Sequence, residues 1–364
     1  MRQKLSSLVA GLDRLTASPA AVTGVSGTRA LLGFVGFMFY ASQYGERSYL
    51  FGPDSVYPWR DFIEGLHENG TFSLYALSTS GAWFDLLFHL GMLTALAVTL
   101  GVGGRPVLAL HWVLLWSVYQ RQPLILDGGD NLAWIVLPML LLTRCYDRFS
   151  LSPGLLRRWS ARVPDVVRAV SPALHNLGVA AIGVQICLVY LVSGLYKVQG
   201  KMWQDGTALF YVLRIPEFEW PGVSRLLYEN DLLVIVGTYA ATLFMVYFPV
   251  GILVPRLRPW AALGSIGLHV SIALFMGLTG FALTMVACDL IFLSGGIENL
   301  LRHARRAGGR AGRALRNRTG WPKAAVGPVT ADGGVNTVVT TYDEKMGSIS
   351  GRHEQAGRPS PRSV

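Results

Sequence analysis

Apolar runs of membrane-spanning length recur along this chain, near 28–45, 82–102, 106–120, 131–147, 173–196, 229–253, 257–277 and 279–297. Between them fall most of the charged side chains. A hydrocarbon core about 30 Å thick is crossed by a helix of roughly 20 apolar residues, and backbone groups inside it must hydrogen-bond to one another. Composition agrees: 51% of residues are hydrophobic and 15% charged, against roughly 25% charged in soluble domains. The expected fold is all-α, a polytopic transmembrane bundle of about eight spans.

Basic residues test that count, because short cytoplasmic loops carry the excess of Lys and Arg. Arg2, Lys4, Arg14 and Arg29 precede the first run and Arg105 follows the second. Arg144, Arg148, Arg157, Arg158, Arg162 and Arg168 crowd the fourth loop, and Arg256 and Arg258 occupy the sixth. With eight spans all of these share one side. The other side receives the 46–81 loop, the 121–130 loop and the 197–228 segment, where Asp54, Asp61, Glu64, Glu217 and Glu219 balance the bases. A multi-pass protein of the cell membrane with both termini cytoplasmic is predicted.

Three segments follow. Residues 1–19 place Leu5, Leu8, Val9, Leu12 and Leu15 at helical spacing, the pattern of an amphipathic surface helix. The first 27 residues lack the apolar core and cleavage site of a secretory signal, so no processed leader is expected. Residues 20–297 form the membrane domain. It includes a basic interfacial helix near 155–167 and a short surface helix after Lys197. Residues 298–364 turn to Arg, Gly, Ala, Ser and Pro, a composition that predicts a disordered cytoplasmic tail. Its arginines suit anionic headgroups; nothing in it suggests a nucleic-acid module. Cys145, Cys187 and Cys288 are scattered, without metal-ligand spacing, and no metal site is expected.

Ionisable groups inside spans are costly, so each is a candidate site. Asp85 and His89 share a helix face at a spacing of four, a pair or two metal ligands. His111 stands alone. His269 lies in GSIGLHVSIALF among small residues and can carry a proton near neutral pH; Asp289 lies in MVACDLIFL. The segment RQPLILDGGDN gathers Arg121, Asp127, Asp130 and Asn131 at a helix start, where capping and function are both open.

The stretch QICLVYLVSGLYKVQGKMWQDG, 185–206, brings an apolar helix to Lys197, one of five lysines in the chain. Two readings stand: a lysine snorkelling to headgroups, or a lysine held out of water, which gives up its proton readily and can serve as a base.

Several stretches carry a family resemblance. YLVSGLYKVQGKMWQDGTALFYVLRIPEF (190–218), GGDNLAWIVLPMLL (128–141), GLHVSIALFMGLTGFALTMVACDLIFL (267–293) and LFGPDSVYPW (50–59) resemble the HTTM membrane domain of bacterial proteins. That domain is related to the membrane part of vitamin K-dependent gamma-carboxylase. In the carboxylase a lysine deprotonates reduced vitamin K, whose reaction with oxygen yields the base that removes a glutamyl proton before carbon dioxide adds. The resemblance places that lysine at Lys197, implying a quinol-dependent, carboxylase-like lyase assisted by His269 and Asp130. Trp203, Tyr196 and Asn131 would bind a reduced naphthoquinone, and a small secreted peptide or protein would be the substrate. The family's lysine pair is Tyr196 and Lys197 here, a family histidine falls at Asp130, and no substrate-holding extramembrane domain is legible. The second reading is a non-catalytic membrane partner for maturation, export or immunity of a small secreted peptide. A transporter is the third.

Overall fold

The computed structural model describes residues 18–151 and 165–319, which carry helices and, among them, no strand. The amphipathic segment expected at 1–19 and most of the interfacial helix expected near 155–167 lie outside the described residues, as does the chain beyond 319. Contacts divide the chain into Met1–Gly309 and Arg310–Val364; of the second unit only helical residues to Thr319 are described.

Long helices alternate with short ones. They are α1 (Val22–Ser42), α2 (Arg47–Phe51), α3 (Trp59–Glu68), α4 (Gly81–Leu100), α5 (Gly104–Arg121), α6 (Gly128–Leu142) and α7 (Asp165–Gln199). After them come α8 (Lys201–Gln204), α9 (Ala208–Val212), α10 (Arg225–Tyr228), α11 (Asp231–Leu253), α12 (Arg258–Met276), α13 (Thr279–Asp289) and α14 (Ser294–Thr319).

Five of these, α1, α4, α7, α11 and α12, are long and apolar enough to cross a membrane. The pair α13 and α14, bent by 87°, makes a sixth if read as one broken span. The expected count of eight is therefore not established. The two shortfalls have plain causes: α5 is diluted by Arg105, His111, Gln120 and Arg121, and α6 is only 15 residues long. A multi-pass helical membrane protein remains the architecture. The tail departs from expectation too. Helix α14 runs through Thr319, past the boundary at 298, because its Ala, Arg and Leu residues are good helix formers and it starts from an anchored turn.

Close helix contact is bought by glycine, since lipid supplies no hydrophobic drive between helices. A methyl group at Gly33 of α1 would come within 2.6 Å of the Thr99 backbone nitrogen of α4. One at Gly36 would come within 2.8 Å of the His111 ring of α5. Helix α1 thus seats against both neighbours and fills the centre with Leu32, Tyr40, Phe88, Val98 and Leu108. The Gly24 N–H donates to Ser294 Oγ at 3.0 Å, which pins the start of α14 to α1.

Arg29 reads in the sequence as a flanking positive charge, yet it is fully buried. Its Nε donates to the Cys145 carbonyl at 3.1 Å and Nη2 to Phe149 at 2.6 Å and Arg148 at 3.4 Å; Nη1 reaches Thr99 at 3.3 Å and Val98. Arg121 does the same at the far end of α5. It donates to the carbonyls of Gly52 at 2.6 Å and Tyr57 at 2.9 Å and to Ser55 Oγ at 2.6 Å, with its guanidinium 4.9 Å from the Phe62 ring centre.

Replacing Arg29 by Met strands several buried carbonyls, each bonded to a charged donor, and is expected to cost more than about 3 kcal/mol. Lys at this position should recover only part, since an ammonium cannot fork across both helix ends. Thermal unfolding of the detergent-solubilised variants tests the ranking of wild type, Lys and Met.

Candidate functional site

The polar groups singled out from sequence divide into three sets. Lys197 occupies the last turn of α7, where the negative end of the helix dipole favours a cation. The chain then turns sharply: Gly200 N–H donates to the Lys197 carbonyl at 3.0 Å, and α8 carries Trp203 back beneath the amine, Nζ standing 4.7 Å from the ring centre. Glycine is required at 200, where a Cβ would lie 2.9 Å from Trp203 Cδ1. Gly206, at φ +75°, closes the turn against the Tyr239 ring, and Tyr239 Oη donates to the Gln204 carbonyl at 2.7 Å. Lys197 is half-buried and makes no hydrogen bond or ion pair among the described residues. The arrangement is a cation resting on an aromatic face, available to an anion or a polarisable ring.

His269 belongs to a second set. Ser265 lies four residues earlier on α12 and faces Tyr190 of α7 and Asp289 at the end of α13. His269 Nδ1 lies 2.9 Å from the Ser265 carbonyl, which can only accept, so Nδ1 carries the hydrogen. The Tyr190 hydroxyl lies 3.2 Å from the same nitrogen and also bonds Ser265 Oγ, whose own hydrogen goes to Asp289 Oδ2. All four side chains are buried. Asp289 Oδ1 has no hydrogen-bond partner among the described residues. Around them Phe248 stacks on Tyr190 at 3.9 Å, with Phe244 on the edge of the same ring and Phe281 against His269. This is a dry, phenyl-lined hydrogen-bonded chain joining α7, α12 and α13.

Asp130 forms the third set. Asp127 caps α6, accepting from the N–H groups of Gly129 at 2.6 Å and Asp130 at 3.1 Å, while Asp130 Oδ2 accepts from Asp127 N–H at 3.0 Å in a reciprocal capping box. The Tyr119 hydroxyl donates to Asp130 Oδ1 at 2.8 Å. Asn131 is exposed, and its side-chain oxygen accepts from Trp134 Nε1 at 2.9 Å. Capping is thus the observed work of this segment, without excluding another role.

Among the described residues no hydrogen bond or ion pair links Lys197, His269 and Asp130. Phe281 bridges the last two: its ring lies 5.6 Å from the His269 ring and its backbone faces Gly129. Of the groups expected to hold a naphthoquinone, Lys197 and Trp203 meet. Tyr196 is 72% exposed, and neither it nor Asn131 has a ring or polar contact with that pair. Tyr196 and Asn131 therefore share no wall with Trp203 that fits a quinone.

Asp85 and His89 share a face as expected but pair with α2 and its approach rather than with each other's side chains. Arg47 Nε donates to Asp85 at 3.3 Å, and Tyr44 Oη lies 3.2 Å from His89 Nε2. His111 is fully buried, with neither ring nitrogen partnered among the described residues. No group of three or more metal-ligating side chains occurs among the described residues. Tyr190 and Ser265 escaped the sequence reading; the signal for Ser265 was its spacing of four from His269, on the same helix face.

The fold and site therefore define a multi-pass helical membrane protein with a lysine–tryptophan pair at one helix end and a buried polar chain between three helices. No family model matches the chain, and no solved structure matches it. Two proteins of Bacillus subtilis (strain 168) are similar. Sporulation-delaying protein SdpB is 24% identical over 220 residues, 58% of this chain and 64% of that protein. The uncharacterized protein YitO is 24% identical over 229 residues, 61% of this chain and 71% of that one. The matched stretch spans just under two thirds of the length of SdpB.

Interhelical hydrogen bonds in membranes contribute about 0.6 kcal/mol each on average and up to about 1.7 kcal/mol. Ser265→Ala removes two, those with Tyr190 and Asp289, so a loss of about 1–3 kcal/mol is expected, with Tyr190→Phe costing less. Unfolding in detergent micelles measures both; wild-type stability for Ser265→Ala would remove the network from the account of this bundle.

Proposed function

We propose that this chain is a membrane partner of a small secreted peptide, acting in its maturation, export or immunity, with both termini cytoplasmic and the Lys197 turn outside. The similarity to a sporulation-delaying protein across more than half of the chain carries the reading. A protein that delays a developmental programme acts on its timing, and a secreted peptide is a messenger whose passage or receipt a membrane domain can govern. The site is compatible: an unpaired cation on an aromatic face suits a peptide carboxylate. Sidedness is supported by Arg144, Arg148, Arg256 and Arg258, which lie between α6 and α7 or between α11 and the start of α12, on one face when α1, α4, α7, α11 and α12 each cross.

A second reading keeps the chemistry implied by the HTTM resemblance, a quinol-dependent, carboxylase-like enzyme with Lys197 as base. The Lys197–Trp203 contact favours it; the separation of Lys197 from His269 and Asp130 counts against a concerted site.

Deleting the gene is expected to remove one peptide from the culture medium, or to make cells sensitive to it, and the wild-type gene should restore the phenotype. Restoration by Lys197→Ala assigns a partner role without chemistry. If Lys197→Ala fails, purified protein supplied with reduced naphthoquinone, bicarbonate and a Glu-containing peptide decides between recognition and catalysis, since only the enzyme consumes quinol in a Lys197-dependent way. A deletion that leaves both the secreted peptides and peptide sensitivity unchanged would overturn the proposal.

A further inference from the structure

At the opposite end of the molecule from the Lys197 turn, α14 leaves α13 at 87°. Helix α13 is 11 residues long and α14 leaves it almost at a right angle, so that where α13 follows the bilayer normal α14 lies close to the membrane plane. Helix α14 has the make-up for that position: Leu300 is 70% exposed, and Arg302, Arg305 and Arg306 follow it.

Between α14 and the turn after α6 lies a groove of about 240 Å³, lined by Thr23, Arg148, Phe149, Glu298, Leu301, Arg302 and Arg305. Three arginines face one carboxylate. That carboxylate, Glu298, stands 3.8 Å from Arg148, too far for a strong bond, while Arg302 is met only by the neutral Asn299 side chain at 2.9 Å. Arg305 has no hydrogen-bond or ion-pair partner among the described residues. Phe149, half-exposed, and Leu301 supply an apolar floor.

Both walls are fixed in advance. Arg29 holds the carbonyls of Arg148 and Phe149 from inside, and Ser294 ties the first turn of α14 to Gly24. The backbone on both sides of the groove is thus held without a ligand, which lowers the cost of bringing its arginines onto one.

We propose that this groove binds the phosphate of an anionic phospholipid headgroup, with Arg148, Arg302 and Arg305 as the donors and Phe149 and Leu301 against the upper acyl or glycerol carbons. Guanidinium groups pair two N–H donors with two phosphate oxygens, and a lipid presents its phosphate at the depth where α14 lies. Glu298 opposes binding and sets its strength.

Purified protein titrated with dioctanoyl phosphatidylglycerol, dioctanoyl phosphatidylcholine and inorganic phosphate, followed by microscale thermophoresis, tests the site. Phosphatidylglycerol should bind most tightly. Arg302→Gln with Arg305→Gln should weaken it by at least about tenfold, Arg306→Gln, outside the groove, should leave it unchanged, and Glu298→Gln should strengthen it. Wild-type melting temperatures in uncharged detergent confirm that the exposed-arginine variants fold. Equal affinity for the two lipids, inorganic phosphate binding as tightly as phosphatidylglycerol, or indifference to the double substitution would each overturn the assignment.

Discussion

The bundle depends on a guanidinium buried where α4 ends against the turn after α6. Arg29 collects carbonyls from the last turn of α4, where a helix leaves its final C=O groups short of internal partners, and from the irregular turn after α6. A charge in that position is stabilised twice, by the hydrogen bonds and by the negative ends of the dipoles. Tyr146, whose ring centre lies 4.9 Å from the guanidinium carbon, covers it. Without Arg29 the same carbonyls would lose their charged donor. The arginine therefore decides how α1, α4 and α6 come together at that end, and the glycines of α1 then decide how close they sit.

Arg121 solves the complementary problem at the other end. Between α2 and α3 the LFGPDSVYPW stretch runs as irregular backbone over 52–58, and such backbone persists near a membrane only when its polar groups are satisfied by protein. By taking the carbonyls of Gly52 and Tyr57 and the Ser55 hydroxyl, Arg121 folds that stretch over α5 and seats it on Phe62. A segment that contributes to the family likeness is thereby explained as architecture. The two arginines also show why charge counting is an imperfect guide to topology: Arg29 lies two turns inside α1 and Arg121 closes α5, and both are consumed internally rather than presented to headgroups.

What the sequence made legible was the periodicity and length of the apolar runs, whose predicted centres coincide with α1, α4, α7, α11 and α12. It also pointed to a cap at the start of α6, expected on Asn131 or Asp130, whereas the N-cap is Asp127 and Asp130 answers it from N3. The number of crossings was less accessible, since α5 and α6 are too polar or too short to be judged by composition and depend on their neighbours for burial. Partner choice was the least accessible part. That Asp85 would meet Arg47 rather than His89, or that Asp289 would meet Ser265 and through it Tyr190, follows from helix rotation and crossing, which spacing along one helix does not encode. His269 was found because it is a histidine; its partners are an ordinary serine and tyrosine.

The separation of the lysine from the buried chain bears directly on what the domain can do. Tyr190 and Lys197 lie seven residues apart on α7, two turns, close enough in rotation to share a face. One faces a dry interior stacked by Phe248, and the other lies at the helix end over Trp203. A catalytic pair would need a proton path between them, whereas a recognition site would need only that the helix be held still while its end meets a ligand. The hydrogen-bonded chain through Ser265 supplies that rigidity by locking α7 to α12 and α13, so the buried polar residues and the exposed lysine are most economically joined as support and contact surface.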